Sequence, residues 1–176
     1  MNRKVVLYIA MSLDGYIAGK NDELDFLKQV EIFGEDYSYA QFIETIDTVI
    51  MGRKTYEIVL SFGIDFPHTD KKSYILSRTS REKDANITFY NGNVNTLIND
   101  LKKTDGKNIF IDGGAEVVHS LLKNQLIDEL IISIIPVLLG DGVRLFKGEE
   151  PEQKLELIST KAFEKGLVQL HYSAIK

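Results

Sequence analysis

The stretch Thr48-Val49-Ile50-Met51-Gly52-Arg53-Lys54-Thr55 runs from a short apolar segment into a glycine and two cations. The apolar residues before Gly52 predict a buried strand, and residues 53–60 predict a helix that begins directly after it. Cations in a first helical turn oppose the helix dipole, whose N-terminal end is positive. An anionic ligand at this helix start therefore explains Arg53 and Lys54 better than helix propensity does, the alternative being a helix start that is simply solvated.

Similar steps from strand to helix occur on both sides of this stretch. The predicted strands are 5–11, 73–76, 87–90 and 108–111, and the predicted helices are 36–46, 94–101 and 115–123. Residues 12–21 and 61–70 carry glycine or proline and predict loops. Strands that alternate with helices predict βαβ units and a mostly parallel sheet.

The last third of the chain has a different pattern. Residues 129–139 predict one long apolar strand, and residues 155–163 and 167–175 predict two strands around the compact turn Glu164-Lys165-Gly166. The C-terminal strands should therefore include antiparallel ones. With 176 residues, no internal repeat and no linker, residues 1–176 predict a single α/β domain of three layers, α/β/α.

The composition of the chain argues against several kinds of site and partner. The chain has no cysteine, which excludes disulfides, thiolate metal sites and cysteine nucleophiles. His68, His119 and His171 are scattered without metal-binding spacing, so no metal site is expected. The net charge of −5 argues against a nucleic-acid partner. The short apolar run near the N-terminus is neither a signal peptide nor a membrane span, which predicts a cytoplasmic protein that does not bind membranes.

Four segments follow the predicted parallel strands, where open α/β sheets bind ligands: 11–18, 52–55, 77–79 and 112–116. In the last of them Gly113-Gly114 opens a helix, and a helix N-terminus offers free N–H groups to a phosphate. The alternative is an ordinary tight turn. Arg78 adds a cation that suits a 2′-phosphate and favours NADPH over NADH, although a solitary surface arginine is more often only solvated.

Three sequence blocks together resemble the dihydrofolate reductase superfamily. They are Ser12-Leu13-Asp14-Gly15-Tyr16-Ile17-Ala18, Val49-Ile50-Met51-Gly52-Arg53-Lys54-Thr55-Tyr56-Glu57 and Ile111-Asp112-Gly113-Gly114-Ala115-Glu116. The closer resemblance is to the branch that contains the C-terminal reductase domain of bacterial riboflavin biosynthesis, which residues 136–146 also resemble. The blocks span nearly the whole chain in the family's order, and the resemblance implies a dihydrofolate reductase-like fold.

The resemblance also implies NADPH as the cofactor and assigns its site. Ala10 and Ile17 would flank the nicotinamide, and Gly15 would lie in a loop over the active site. The phosphates would be held by Gly52, Arg53, Lys54 and Thr55; the adenosine ribose and its 2′-phosphate by Leu76, Ser77 and Arg78; the pyrophosphate by Gly113, Gly114, Ala115, Glu116 and Val117. The family further implies a cis peptide between Gly113 and Gly114.

The substrate and the proton donor are less defined. Asp36 falls where the family binds a pterin with an acidic residue, the favoured alternative being a helix cap. Lys71 stands where an arginine would grip the folate glutamate, and because lysine is not a bidentate clamp, folate is not the expected substrate. Asp14, Asp36, Tyr37 or an ordered water would supply the proton, although Asp14 equally suits a loop turn. Asp112 is expected to shape the glycine turn.

These observations predict an NADPH-dependent reductase of a small pterin-like or pyrimidine-like heterocycle. The alternative is an NADP(H)-binding protein with little turnover, in a sensing or regulatory role, because no proton donor is evident. A structural domain without ligand would leave Arg53 and Lys54 unexplained. The resemblance also implies a homodimer, in which the apolar strand 129–139 would be covered.

Overall fold

The computed structural model describes residues 3–79 and 86–175, and a large sheet forms the centre of this part of the chain. The sheet has eight strands in the order β5-β4-β3-β6-β1-β7-β10-β9. Their bounds are Val5–Ser12 (β1), Ile46–Gly52 (β3), Lys72–Leu76 (β4), Ile87–Tyr90 (β5), Asn108–Gly113 (β6), Glu129–Ile135 (β7), Leu155–Ala162 (β9) and Val168–Ala174 (β10). Tyr16–Ala18 (β2) and Val143–Arg144 (β8) form a separate two-stranded sheet.

Strand direction divides the large sheet into two parts. The six strands from β5 to β7 in the sheet order pair in parallel, whereas β10 is antiparallel to both β7 and β9. This confirms the predicted mostly parallel sheet with antiparallel C-terminal strands. The parallel arrangement brings the carboxyl ends of β1, β3, β4 and β6 to one edge of the sheet.

Helices cover both faces of the sheet and complete the three predicted layers. The helices are Tyr39–Ile43 (α1), Arg53–Ser61 (α2), Val94–Lys102 (α3) and Ala115–Lys123 (α4), with short 3-10 helices at Asp25–Val30 and Glu164–Gly166. One core joins α3 and α4 to one face, through fully buried residues such as Ile98 and Leu121. The other core joins α1 and α2 to the opposite face, around Phe110.

The helix α3 shows how local sequence sets the element boundaries. The Asn93 side chain accepts hydrogen bonds from the backbone N–H groups of Asn95 and Thr96, which caps the helix. Its apolar residues recur at helical spacing and are all buried, namely Val94, Leu97, Ile98 and Leu101.

Three predicted elements are wrong in extent. The long strand predicted at 129–139 ends at Ile135, because Pro136 has no N–H to continue the ladder. The helix predicted at 36–46 is confined to Tyr39–Ile43, because Tyr37 and Ser38 have positive φ angles of 55° and 68°. The loop predicted at 12–21 contains β2, whose partner β8 lies more than 120 residues further along the chain.

The strand β7 lies inside the sheet, between β1 and β10. Its residues Leu130, Ile132 and Ile135 are buried within the chain. Neighbouring strands and helices therefore cover much of the predicted strand 129–139 within one chain, whereas Leu138 is 70% exposed. The homodimer stays a prediction. No helix of the described residues is long and apolar enough to cross a membrane.

Arg3 connects four segments at the amino ends of the parallel strands, opposite the predicted ligand site. Its guanidinium pairs with Asp47 and donates to the Thr48 hydroxyl at 2.7 Å. It also donates to the Thr104 hydroxyl at 2.9 Å and to the Lys107 carbonyl at 2.8 Å. Arg3 is only 5% exposed, so these partners replace the water that its charge has lost.

Replacing Arg3 should therefore be costly. The change Arg3→Met keeps the apolar stem but removes the cation that pairs with Asp47 and the donor to the Thr48 and Thr104 hydroxyls and the Lys107 carbonyl. We expect it to lower the free energy of unfolding by about 2–4 kcal/mol, measured by urea denaturation. The control Lys28→Met removes an exposed pair with Asp25 and should cost less than about 0.5 kcal/mol. Equal losses in the two variants would contradict the assigned role of Arg3.

Candidate active site

A cavity of about 940 Å³ opens at the carboxyl ends of the parallel strands. It lies beside Ala10 of β1, Gly52 of β3, Leu76 of β4 and Gly113 of β6. The segments that follow these strands complete its walls, as expected for a ligand site in an open α/β sheet.

Two helices begin side by side at this cavity because β3 and β6 are neighbours in the sheet. A Cβ atom on Gly52 would lie 3.7 Å from the Gly114 nitrogen, and one on Gly114 would lie 3.0 Å from the Thr55 hydroxyl. Gly52 and Gly114 are the N-cap residues of α2 and α4, and neither helix has a side-chain cap. Two uncapped N-termini with their positive dipole ends therefore meet at one place, which suits an anion with several charged oxygens.

The cations around these helix starts are paired with carboxylates of the same chain. Arg53 contacts Glu57 at 2.8 Å, and Lys54 contacts Asp22 at 2.7 Å. The four side chains are 31% to 70% exposed, so these pairs are weak and exchange readily for another anion. Arg78, beyond the end of β4, is exposed and also lines the cavity.

The structure brings most of the predicted cofactor residues together. The cavity is lined by Ala10, Ile17, Gly52, Arg53, Lys54, Thr55, Leu76, Arg78, Gly113, Gly114, Ala115, Glu116 and Val117. Gly15 and Ser77 are not among the lining residues, and the Ser77 hydroxyl instead donates to the Thr79 carbonyl at 2.9 Å. The predicted cis peptide between Gly113 and Gly114 is confirmed.

Comparison with known proteins fits this arrangement. Residues 3–169 match the RibD C-terminal domain family. The chain belongs to that family. Its relatives include the uncharacterized proteins YwjB and YyaP of Bacillus subtilis, at 45% and 35% identity over at least 94% of each chain. A dihydrofolate reductase of Candida albicans is a more distant relative, with 32% identity over 61% of this chain and 55% of its own.

Solved structures of RibD-like proteins share the fold. A protein of Shewanella sp. PV-4 provisionally assigned to riboflavin biosynthesis superposes with a TM-score of 0.90 at 33% identity, over 98% of this chain and 99% of its own. A pyrimidine reductase-like protein of Corynebacterium diphtheriae gives 0.71 at 14% identity, over 99% and 92%. The deaminase/5-amino-6-(5-phosphoribosylamino)uracil reductase of Thermotoga maritima gives 0.69 at 16% identity, over 99% of this chain and 57% of its own. These likenesses show that the fold is shared, and the family is given by the match over residues 3–169.

In this RibD C-terminal domain Asp14 holds two loops together. Its carboxylate accepts hydrogen bonds from the Ser12 hydroxyl at 2.6 Å and from the N–H groups of Leu139 and Gly140 at 3.1 and 2.7 Å. These bonds, the one from Ser12 foremost, lower the pKa of Asp14 to about 2. Asp14 is not a lining residue of the cavity, and near neutral pH it has no proton to donate.

Asp36 also has a structural role in this RibD C-terminal domain. Its carboxylate accepts the N–H groups of Ser38 and Ala40, both at 2.9 Å, at the entry to α1. It does not line the cavity. The helix-cap alternative therefore describes Asp36 better than pterin binding does. Neither carboxylate lines the cavity, so their positions do not support the prediction that Asp14 or Asp36 donates the proton.

Tyr37 and Lys71 are engaged elsewhere as well. The Tyr37 hydroxyl donates to the Val30 carbonyl, and its ring packs 5.1 Å from that of Phe163. The Lys71 ammonium pairs with Asp70 at 2.6 Å. Neither residue lines the cavity.

Asp112 was predicted only to shape the glycine turn, and Tyr8, Tyr39 and His68 were given no place at the cavity. Tyr8, Tyr39 and Asp112 line it, and His68 lies 3.2 Å from Asp112. Burial, and then the charge of Asp112, raise the pKa of Tyr39, so its phenol stays neutral. The alternation of side chains along β6 could have indicated where Asp112 lies. Asp112 is on the same face of the sheet as Phe110, whose ring packs against α1. Among the described residues, no group of three or more histidines and acidic residues is placed to hold a metal ion.

The bonds of Asp14 give a prediction for acid stability. Since its folded-state pKa lies below the ordinary value of 3.8, Asp14 stabilises the folded protein above about pH 4 and loses that effect as the pH falls through about 2. The variant Asp14→Asn cannot titrate, so its melting temperature should fall less steeply between pH 4 and pH 2 than that of the wild type. Asp105→Asn, which alters an exposed carboxylate, controls for the lost charge. Parallel curves for Asp14→Asn and the wild type would refute the assignment.

Proposed function

We propose that this protein is an NADPH-dependent reductase that transfers a hydride to a small pterin-like or pyrimidine-like heterocycle. The observation that carries the proposal is the meeting of two uncapped helix N-termini, at Gly52 and Gly114, on one cavity. A dinucleotide has a pyrophosphate, which can bind at the two helix starts, and a flat ring, which can extend along the cavity. It is therefore the ligand class that fits this site.

The residues present fit the cofactor in detail. The glycines at 52, 113 and 114 keep side chains away from the place where phosphate oxygens would approach the backbone. Arg53 and Lys54 would exchange their exposed carboxylate partners for phosphate. Leu76 and Arg78 would contact the adenosine ribose and its 2′-phosphate, and Ala10 and Ile17 would flank the nicotinamide. NADPH bound here would supply the hydride, while the protein orients both rings and excludes water.

The cavity has room for a second ring beyond the cofactor. Its volume of about 940 Å³ is near the upper end of the range of roughly 300–1,000 Å³ for small-molecule sites. The end formed by Tyr8, Leu27, Tyr39 and Val59 is apolar and aromatic, which suits a flat heterocycle. The names of the similar structures, a pyrimidine reductase-like protein and a phosphoribosylaminouracil reductase, support this class of substrate.

One observation favours a second candidate function. Asp14 and Asp36, the acidic residues expected to donate a proton, are both bound to backbone away from the cavity. A protein that binds NADP(H) with little turnover, in a sensing or regulatory role, would need no donor. Steady NADPH oxidation with a panel of pterins and pyrimidines distinguishes the two, because only the reductase sustains it.

The 2′-phosphate gives the sharpest test of the cofactor. We expect Arg78→Ala to weaken NADPH binding by about 10- to 100-fold, the value of a charged hydrogen bond, and NADH binding by less than about threefold. Binding is measured by the change in dihydronicotinamide fluorescence on titration. Lys123→Ala, at the far end of α4, removes the same charge and should leave both affinities unchanged. Equal losses for NADPH and NADH would refute the role of Arg78, and no binding of either by the wild type would refute the function.

We also propose that two copies of the chain associate through β9. This strand ends the sheet, with β10 on one side, and all eight of its residues are exposed. Leu155, Leu157 and Ile158 are 41%, 52% and 49% exposed, an unusual apolar content for an edge strand. A second copy of β9, antiparallel across a two-fold axis, would pair both free edges and cover these side chains.

Light scattering coupled to size-exclusion chromatography tests this association. The wild type should have twice the mass of one chain at micromolar concentration. Leu157→Lys places a charge on the edge and should shift the mass to that of the monomer. Leu138→Lys alters a leucine away from β9 that is even more exposed, at 70%, and should leave the dimer intact. A monomeric wild type would refute the proposal.

A further inference from the structure

Asn91 and Gly92 form an Asn–Gly pair, and no other asparagine of the chain precedes a glycine. The pair lies between the last residue of β5, Tyr90, and the first residue of α3, Val94, so it belongs to neither a strand nor a helix. Both residues are exposed. The pair is therefore in contact with water and is not part of a regular backbone ladder.

The two groups that could react with each other in this pair are unengaged. Neither the Asn91 side chain nor the Gly92 N–H forms a hydrogen bond with another described residue. The cap of α3 comes from the next residue, Asn93, whose side chain accepts the N–H groups of Asn95 and Thr96. The Gly92 nitrogen is therefore free to approach the side-chain amide of the residue before it.

Tyr90 explains why a glycine follows this asparagine. A Cβ atom on Gly92 would lie 2.4 Å from the Tyr90 hydroxyl and 2.9 Å from its ring carbon Cε1. The same hydroxyl donates to the Asn93 carbonyl at 3.3 Å, so the ring lies along the turn. Without a side chain at position 92, nothing on that residue shields its nitrogen from the Asn91 amide.

We infer that Asn91 is a site of spontaneous deamidation, which converts it to aspartate or isoaspartate and adds a negative charge beside Arg78. The Gly92 nitrogen gives its proton to water or hydroxide and bonds to Asn91 Cγ, while the amide C–N bond breaks and ammonia leaves. Water then adds to one carbonyl of the resulting cyclic imide and breaks one of its two C–N bonds. The carboxylate formed belongs to the side chain in aspartate and to the former main-chain carbonyl in isoaspartate. The reacting groups belong to adjacent residues, so the nucleophile is already held near its target.

The ends of β4 and β5 place Asn91 next to Arg78. Leu76 of β4 lies opposite Tyr90 of β5 in the parallel pair, and the Ser77 N–H donates to the Tyr90 carbonyl at 2.9 Å. Asn91 follows Tyr90 directly, and Arg78 follows Ser77. The two residues thus leave the sheet from neighbouring strands, which are about 4.8 Å apart.

The added carboxylate would act on the cofactor through Arg78. Arg78 and Gly92 both line the large cavity, and the proposed function assigns the 2′-phosphate of NADPH to Arg78. A carboxylate at position 91 would pair with the guanidinium and repel that phosphate, whereas NADH has no 2′-phosphate to repel. This consequence rests on the proposed function, but the deamidation itself does not.

Ageing of the purified protein tests the reaction. The wild type is kept warm at mildly alkaline pH and digested, and the peptides are fragmented in a mass spectrometer. We expect the mass difference between an amide and a carboxylic acid to appear at Asn91 before it appears at any other asparagine. Asn91→Gln is the matched control, because its longer side chain must close a larger ring, and it should gain no such mass at position 91 in the same time.

Binding measurements test the consequence. Asn91→Asp carries the added charge from the start, and we expect it to weaken NADPH by about three- to tenfold at low ionic strength and NADH by less than about twofold. High ionic strength should reduce the loss, because salt screens exposed charges. Asn99→Asp makes the same change at an exposed position of α3 and should leave both affinities unchanged. Aged wild type should lose NADPH affinity, whereas aged Asn91→Gln should keep it.

The two measurements separate the inference from the function beneath it. Deamidation at Asn91 that is no faster than at the other asparagines overturns the inference, whether or not NADPH binds. Full NADPH affinity of Asn91→Asp, or a loss that NADH shares, overturns the effect on the cofactor. If the wild type does not bind NADPH, the proposed function is overturned, and the mass spectra of aged wild type and aged Asn91→Gln still decide the modification.

Discussion

The closeness of Gly52 and Gly114 is the constraint on which the rest of the site depends. The neighbouring strands β3 and β6 both run directly into helices, so α2 and α4 must begin next to each other. A Cβ atom on Gly114 would lie 3.0 Å from the Thr55 hydroxyl, so glycine lets the two helix starts approach this closely without displacing the Thr55 side chain. Their unpaired N–H groups then form one concentrated region of positive potential, stronger than a single helix end provides. The nearby cations of Arg53, Lys54 and Arg78 extend that region.

The cavity beside these helix starts is lined by charges of both signs. Among the described residues they are Arg53, Lys54, Arg78, Asp22, Asp112 and Glu116. The family resemblance suggested Asp36, an acidic residue before α1, for binding the heterocycle. That residue caps α1 instead and does not line the cavity.

The sequence allowed much of this to be predicted, and the failures have physical causes. Strands and helices such as β6 and α3 were readable because hydrophobic periodicity is local, and the cofactor residues because parallel strands share one edge. The pairing of β2 with β8, and the bonds from Asp14 to Leu139 and Gly140, join segments more than 120 residues apart and leave no local pattern. The contact of Asp112 with His68 was not predicted, because the position of Asp112 suits a turn residue equally well. Only the fold shows that its side chain meets His68, 44 residues earlier in the chain.

The position of β1 has a consequence for how the chain folds. This strand precedes all the other strands of the sheet in the sequence, yet it lies between β6 and β7, which begin at residues 108 and 129. Arg3, just before β1, likewise contacts Thr104 and Lys107. The centre of the sheet can therefore form only when the residues up to β7 are available. Such long-range closure slows folding and exposes the nascent chain to aggregation. The early strands of this protein can thus complete their pairing only after the later strands are available.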